Sequence, residues 1–379
     1  MTSPPSSHPS SHPSGRQAWV DVARGIAITL VVVHHARFWM AEVLPGTQAW
    51  QVLSTALVPL RLPLFFLISG MLAGPWLTRS WDELWRRKLA GWLWAYLLWS
   101  VVATVVLGLL VLPGVGGPLD RAGTWTTLLY APRTATWYLL ALPLFLALCR
   151  LLWHASGRQG LAWLAAAAAV LCGVVAAAPL PVEFFVWDSA GRFLVCFVVG
   201  ALARPALWRL GDLATRTAAL AAAALILAAA AVSTVPQLLG VPVEEVARLP
   251  GLFPLTVALM GTGGLAAAVA LSRTRLAPPL AACGRRTLEV YVLHVVVLHV
   301  LAVTVDRMGL TGAGDLAGLV AVPLAAALAL AVSLALARPL ARVPWAFAPP
   351  RWWRDLAPAR RGDPALDTTP GTDKTAPGA

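Results

Sequence analysis

Charge is scarce in this sequence. Asp, Glu, Lys and Arg make up 12% of its 379 residues and 59% are hydrophobic, whereas soluble domains carry about 25% charged residues. With mean hydropathy at +0.73, the chain has too little polar surface for a water-soluble body and reads as an all-α integral membrane protein. Cysteine is scarce too. Cys149, Cys172, Cys196 and Cys283 lie in or beside apolar segments without paired or CxxC spacing, which argues against a disulfide framework and a zinc site. Acids are few, 17 against 29 bases, for a net charge of +12. In a membrane protein that excess belongs to loops kept in the cytoplasm, so a nucleic-acid partner is not expected. A cleavable signal is not expected either, because charges interrupt the first apolar segment and no basic leader with a small-residue cleavage site precedes it. No convincing internal repeat stands out, and no fused soluble catalytic domain is expected at either end.

Apolar windows long enough to span, about 20 residues each, fall at roughly 19–41, 51–73, 89–112, 134–153, 160–179, 190–206, 216–234, 251–271, 284–304 and 316–338. The expected architecture is therefore about ten transmembrane helices. Loop charge alternates along them. Arg79, Arg86, Arg87 and Lys88 follow the second window, Arg150 and Arg158 the fourth, and Arg204, Arg209 and Arg216 the sixth. Arg273, Arg275, Arg285 and Arg286 follow the eighth, and Arg338, Arg342, Arg351 and Arg354 the tenth. Glu42, Asp120, Glu183, Asp188, Glu244, Glu245, Asp306 and Asp315 occupy the intervening loops. The positive-inside rule then puts every basic loop and both termini in the cytoplasm. Residues 1–17, rich in Ser, Pro and His, read as a disordered tail, 18–342 as the membrane domain, and 343–379 as an interfacial anchor running into disorder.

One span carries charge where lipid would forbid it. Asp21 to His35 reads DVARGIAITLVVVHH. An ionisable group in a bilayer costs roughly 2.5–3.5 kcal/mol on insertion scales, so such residues mark function. Arg24 and His35 are eleven positions apart, which returns them to nearly the same helix face about 16 Å apart along the axis. Depth counting adds Arg61 and His294 near the level of His35, with Tyr291 one turn below His294 and Glu289 deeper still. Groups this expensive should converge on a polar cavity. A neutral imidazole there suits general-base catalysis, and a guanidinium can stabilise a developing oxyanion. At the cytoplasmic mouth, Arg86, Arg87 and Lys88 face the same compartment as Arg285 and Arg286, and arginine forks suit a phosphate-bearing ligand such as coenzyme A. Other polar residues have plainer readings. His34 points about 80° or more from the Arg24–His35 face and reads as packing or interfacial. His299 reads as a bond to a neighbouring helix, Ser69-Gly70 as a small-residue helix contact, and Asp21 with Arg24 as an i,i+3 ion pair.

The run RGIAITLVVVHH resembles the first-helix motif of the membrane acyltransferase 3 family, in which Arg is followed by Gly and, eleven positions after the Arg, by His: here Arg24, Gly25 and His35. PLFFLISGML from Pro63, TWYLLALPL from Thr136, GRFLVCFVVGAL from Gly191 and CGRRTLEVYVLH from Cys283 resemble later segments of that family in order, with Arg61 where a His or Arg usually stands. The resemblance implies transfer of an acyl group, commonly acetyl, from acyl-CoA to a hydroxyl of a carbohydrate, glycolipid or antibiotic-like acceptor. It places His35 at the catalytic His position and Arg24 as its partner, with Glu289 and His294 in the late motif. One departure stands at Lys88-Leu-Ala-Gly91, where many members carry a basic-x-x-Arg motif; the second Arg is missing, and the usual Pro soon after is Ala95.

The expectation is an inner-membrane O-acyltransferase with no tightly bound cofactor and no metal. Its partners are acyl-CoA, a carbohydrate or glycolipid acceptor and membrane lipids. A transporter or flippase for a lipid-linked sugar, without acyl chemistry, is the alternative that also accounts for buried charge. A purely structural membrane component accounts for it less well. The acceptor, the acyl length and the choice between direct transfer and an acyl-enzyme are not written in the sequence.

Overall fold

The computed structural model describes residues 15–110, 135–181, 184–241, 251–309 and 314–356, with 245 and 249. The described residues form helices and no strand. Nine of these helical segments are long and apolar enough to cross a membrane. One of them, Trp137–Ala177, has 41 residues, roughly 60 Å of helix and twice a bilayer core. Gly157 breaks it with φ 56° and ψ −137°, a conformation open to residues without a Cβ. Two runs of spanning length result, where the sequence predicts two windows.

The order is α1 (Gly15–Ala41), α2 (Gln48–Ala56), α3 (Val58–Ala73), a short α4 (Trp81–Leu84), a π turn (Trp85–Leu89) and α5 (Ala90–Leu109). Then come α6 (Trp137–Ala177), α7 (Phe185–Leu202), α8 (Arg204–Arg209), α9 (Thr215–Leu238) and α10 (Leu252–Leu271). The chain closes with α11 (Ala277–Arg285), α12 (Thr287–Arg307), α13 (Asp315–Leu340) and α14 (Arg351–Arg354).

The second expected span is not one helix. The chain breaks at Leu57 (φ −92°, ψ 1°) and restarts with Pro59 in the first turn of α3. Proline has no N–H to give a preceding turn and is well placed where a helix begins. The ninth window is also divided, at Arg286 (φ −113°, ψ 33°), between α11 and α12. Asp120, Glu183 and Glu244, part of the expected acidic loop set, lie outside the described residues, as do 1–14 and 357–379.

α1 is the hub and packs against α3, α10, α11, α12 and α13. Its tightest seam is with α11. A Cβ on Gly25 would stand 2.0 Å from the Leu280 carbonyl oxygen, and one on Gly284 1.8 Å from that of Asp21. Only bare backbone fits on both sides, which is how helices approach closely without a hydrophobic drive between them. Gly70 and Gly200 make the same kind of seam between α3 and α7, against Phe197 and Leu67. The helix-contact reading of Gly70 therefore holds.

Residues 343–356 are part of the folded body. Four indole N–H groups tie this segment to the start of α5. Trp85, Trp94 and Trp99 donate to the carbonyls of Arg354 (3.1 Å), Trp345 (2.7 Å) and Ala346 (2.8 Å), and Trp353 donates to Ala90 (3.0 Å). Basic loops are joined as well: Arg150 Nε donates to the Arg79 carbonyl at 2.9 Å, and Arg273 to those of Gly211 and Leu213.

Candidate active site

Two cavities enter the bundle beside α1. The first, about 220 Å³, is lined by Arg24, Ser69, Trp76, Lys88, Tyr138 and Tyr291 among others. The second, about 440 Å³, holds His34, His35, Arg61, Asp188, Arg192 and Tyr291 in its wall. Arg24 and His35, on one face of α1 as their spacing predicts, thus serve different chambers.

The imidazoles form a chain. His294 is fully buried. Its Nδ1 lies 3.0 Å from the Val290 carbonyl, and its Nε2 lies 3.1 Å from His35 Nδ1. His35 Nδ1 also lies 3.0 Å from the Val31 carbonyl. Carbonyl oxygens only accept, so each Nδ1 carries the hydrogen. His294 Nε2 is then an acceptor for the His35 Nδ1–H, and His35 keeps an unprotonated Nε2 on a ring that lines the larger cavity. The packing of α1 on α12 produces this contact across 259 positions of sequence.

Arg61 is 6% exposed, and its Nη1 donates to the Ser54 hydroxyl at 3.1 Å and to the Ser54 carbonyl at 3.3 Å. That hydroxyl lies 2.6 Å from His34 Nδ1. With Arg61 donating to one of its lone pairs, the Ser54 hydroxyl keeps a hydrogen and a second lone pair, so it can give or take the bond with His34. His34 therefore lines the larger chamber as well as packing there. The 80° angle places it off the Arg24–His35 face, but the chamber is broad enough to take adjacent positions of α1, and the His34 and His35 ring centroids are 5.1 Å apart. Ser54 was missed because no sequence signal marks a Ser seven residues before Arg61 as its acceptor.

In the smaller cavity Lys88 sits over the Trp76 ring, 5.0 Å from its centroid. It projects from the π turn, whose i→i+5 geometry reaims side chains. Arg24 is 4.0 Å from Asp21, the expected ion pair. Ser69 and Tyr138 share a 2.6 Å hydrogen bond at the wall. The other expected site residues are not in the chamber walls. Arg87 pairs with Glu83 at 3.8 Å, and Arg86, Arg285, Arg286 and Glu289 line neither cavity. His299 meets the Leu110 carbonyl at 2.5 Å, the helix-to-helix bond expected of it.

Asp188 and Arg192, one turn apart on α7, close the larger cavity with a two-point ion pair (2.6 and 3.4 Å). Arg192 also donates to the Val175 carbonyl at 3.1 Å and lies over the Phe253 ring. Arg192 was not singled out from the sequence, although its i,i+4 carboxylate partner was a legible signal.

A helical bundle with imidazoles and guanidinium groups on cavities between its helices marks a functional site inside a multi-pass membrane protein. The family model described as the acyltransferase domain matches residues 17–338. The chain belongs to that family and is an acyltransferase that transfers groups other than aminoacyl groups. No curated protein and no solved structure matches it significantly.

Proposed function

We propose that the protein moves an acyl group, most simply acetyl, from acyl-CoA on the cytoplasmic side to a hydroxyl of a carbohydrate or glycolipid. The membrane is the inner or plasma membrane of the cell, crossed ten times with both termini in the cytoplasm. The count takes the two halves of α6 separately, and the orientation rests on the basic loops. The smaller cavity takes the donor. Arg24 and Lys88 suit its phosphates there, with Arg86, Arg87, Arg285 and Arg286 adding positive potential at the mouth. Lys88 and Arg24 in the chamber answer for the missing Arg at Gly91.

The larger cavity takes the acceptor. His35 Nε2 removes the hydroxyl proton as the acceptor oxygen bonds to the acyl carbon. The C–S bond breaks, and the proton leaves with the coenzyme A thiol. As His35 becomes imidazolium, its Nδ1–H bond to His294 Nε2 strengthens. His294 is a positioning residue, because its ring has no exposed surface to offer a substrate. Arg61 faces the acceptor chamber and suits an oxyanion.

The observation that carries this reading is the directed His294–His35 pair, which leaves a lone base on a chamber wall. The test is purified protein in lipid nanodiscs with radiolabelled acetyl-CoA and an envelope extract. Wild type should release thiol and label a product, and His35→Ala should do neither. Full transfer by His35→Ala would overturn the assignment. Sugar movement in sealed vesicles without acyl-CoA consumption would favour the transporter reading instead.

A further inference from the structure

The two chambers share one wall residue. Of all the side chains lining either cavity, Tyr291 lines both. Its ring is 4% exposed. It packs against Tyr138 (centroids 5.6 Å), His294 (5.9 Å) and Phe65 (6.4 Å). Its hydroxyl donates to the Ala135 carbonyl, a group on the wall of the larger chamber. The ring therefore stands between the side holding Lys88 and Arg24 and the side holding His35 and Arg61, and its hydroxyl is tied to the Ala135 carbonyl at its tip.

We infer that Tyr291 is a septum that keeps the donor thioester from water in the acceptor chamber and yields only when the acyl arm enters. The inference rests on the proposed use of the two cavities. An acyl carbon in the smaller chamber cannot meet an acceptor oxygen in the larger one across the Tyr291 ring while that ring holds its place in the shared wall. The same carbon would be open to attack by water if the passage stood open. In that side reaction a water oxygen bonds to the acyl carbon, the C–S bond breaks, and free acid and thiol form. Excluding water from a reactive group is a recognised role of closing elements. The Tyr291–Ala135 bond is a neutral one, the weaker kind, which a bound substrate arm can break. Tyr291 positions and partitions; the proton transfer stays with His35.

The test compares acetyl-CoA thiol release with and without acceptor in nanodiscs for wild type, Tyr291→Ala and Tyr291→Phe. In wild type, release should depend on acceptor. Tyr291→Ala joins the chambers and should raise acceptor-independent release relative to transfer by about tenfold or more. Tyr291→Phe keeps the ring and should hold the ratio near that of wild type. A Tyr291→Ala enzyme with an unchanged ratio, or one that binds donor but loses release and transfer together, would overturn the septum.

A second readout needs no acyl chemistry. Ser189→Cys places a thiol on the larger chamber. A small charged thiosulfonate supplied from the Lys88 side should label it in the Tyr291→Ala background and leave it unlabelled beside Tyr291. Equal labelling in both backgrounds would refute the septum. Wild type inert toward every acyl-CoA, yet with labelling gated by Tyr291, would instead refute the donor assignment and leave the septum standing.

Discussion

Replacing His294 by alanine tests whether that ring works through His35. The ring is fully buried, so its loss cannot remove a substrate contact. It does remove the acceptor 3.1 Å from His35 Nδ1 and leaves the Val31 carbonyl at 3.0 Å, so His35 keeps its tautomer. The loss in rate follows from how much the bond strengthens as His35 becomes charged. Hydrogen bonds net about 0.5–1.5 kcal/mol when neutral and about 1.5–3 kcal/mol to a charged group, a difference of about 1–2 kcal/mol. At about 1.4 kcal/mol per decade this is about a 5- to 30-fold fall in kcat. Removing His35 itself should remove a general base worth about 10²- to 10⁴-fold. KM for donor and acceptor should stay within about twofold for His294→Ala, since neither chamber is touched. The double variant His35→Ala/His294→Ala should be no slower than His35→Ala, because the two act as one unit. His294→Gln, whose side-chain carbonyl can accept the Nδ1–H, should recover part of the loss. Steady-state thiol release with acetyl-CoA gives all these numbers, and the detergent melting temperature separates a folding defect. An additive double variant, or a His294→Ala loss expressed wholly in donor KM, would refute the reasoning.

Gly284→Val should fail to fold or lose most of its thermal stability in detergent, because a Cβ there meets the Asp21 carbonyl oxygen at 1.8 Å and that backbone cannot yield; a melting temperature within about 2 °C of wild type would count against the α1–α11 seam. Lys88→Ala should raise the acyl-CoA KM by about 10-fold or more, from the loss of a charged contact of about 1.5–3 kcal/mol, with acceptor KM unchanged and with a flatter dependence of donor KM on salt. Arg192→Ala should do the converse, raising acceptor KM while leaving donor KM alone, since Arg192 lines the larger chamber only; equal effects on both substrates would show that the chambers are not separate.

What the sequence determined by itself follows from short-range rules. Apolar length and low charge define a helical membrane protein, because lipid leaves no other partner for the backbone. The eleven-residue spacing puts Arg24 and His35 on one face of α1, because helical period is a local property. The run from Gly15 to Ala41 is one helix, and Arg61 and His35 do share a chamber. The division of the second span at Leu57 was also written locally, in Pro59, but sits inside a hydrophobic run that masks it. The interfacial reading of Trp352 and Trp353 was local as well, though not the four indole bonds that seat the segment on α5.

Only the tertiary structure decided which polar groups meet. His294 reaches His35 across 259 positions because Gly25 and Gly284 let α11 press against α1 and bring α12 beside it. Neither glycine announces its partner, since a bare backbone fits many neighbours. The basic residues were equivalent in the sequence, and packing sorted them: Lys88 turns into a chamber, Arg87 pairs with Glu83, and Arg285 stays exposed. Tyr291 was visible only as a residue one turn from a histidine. Its place between two cavities depends on α12 crossing α1 at that level, and no pattern along a single helix encodes a wall shared by several.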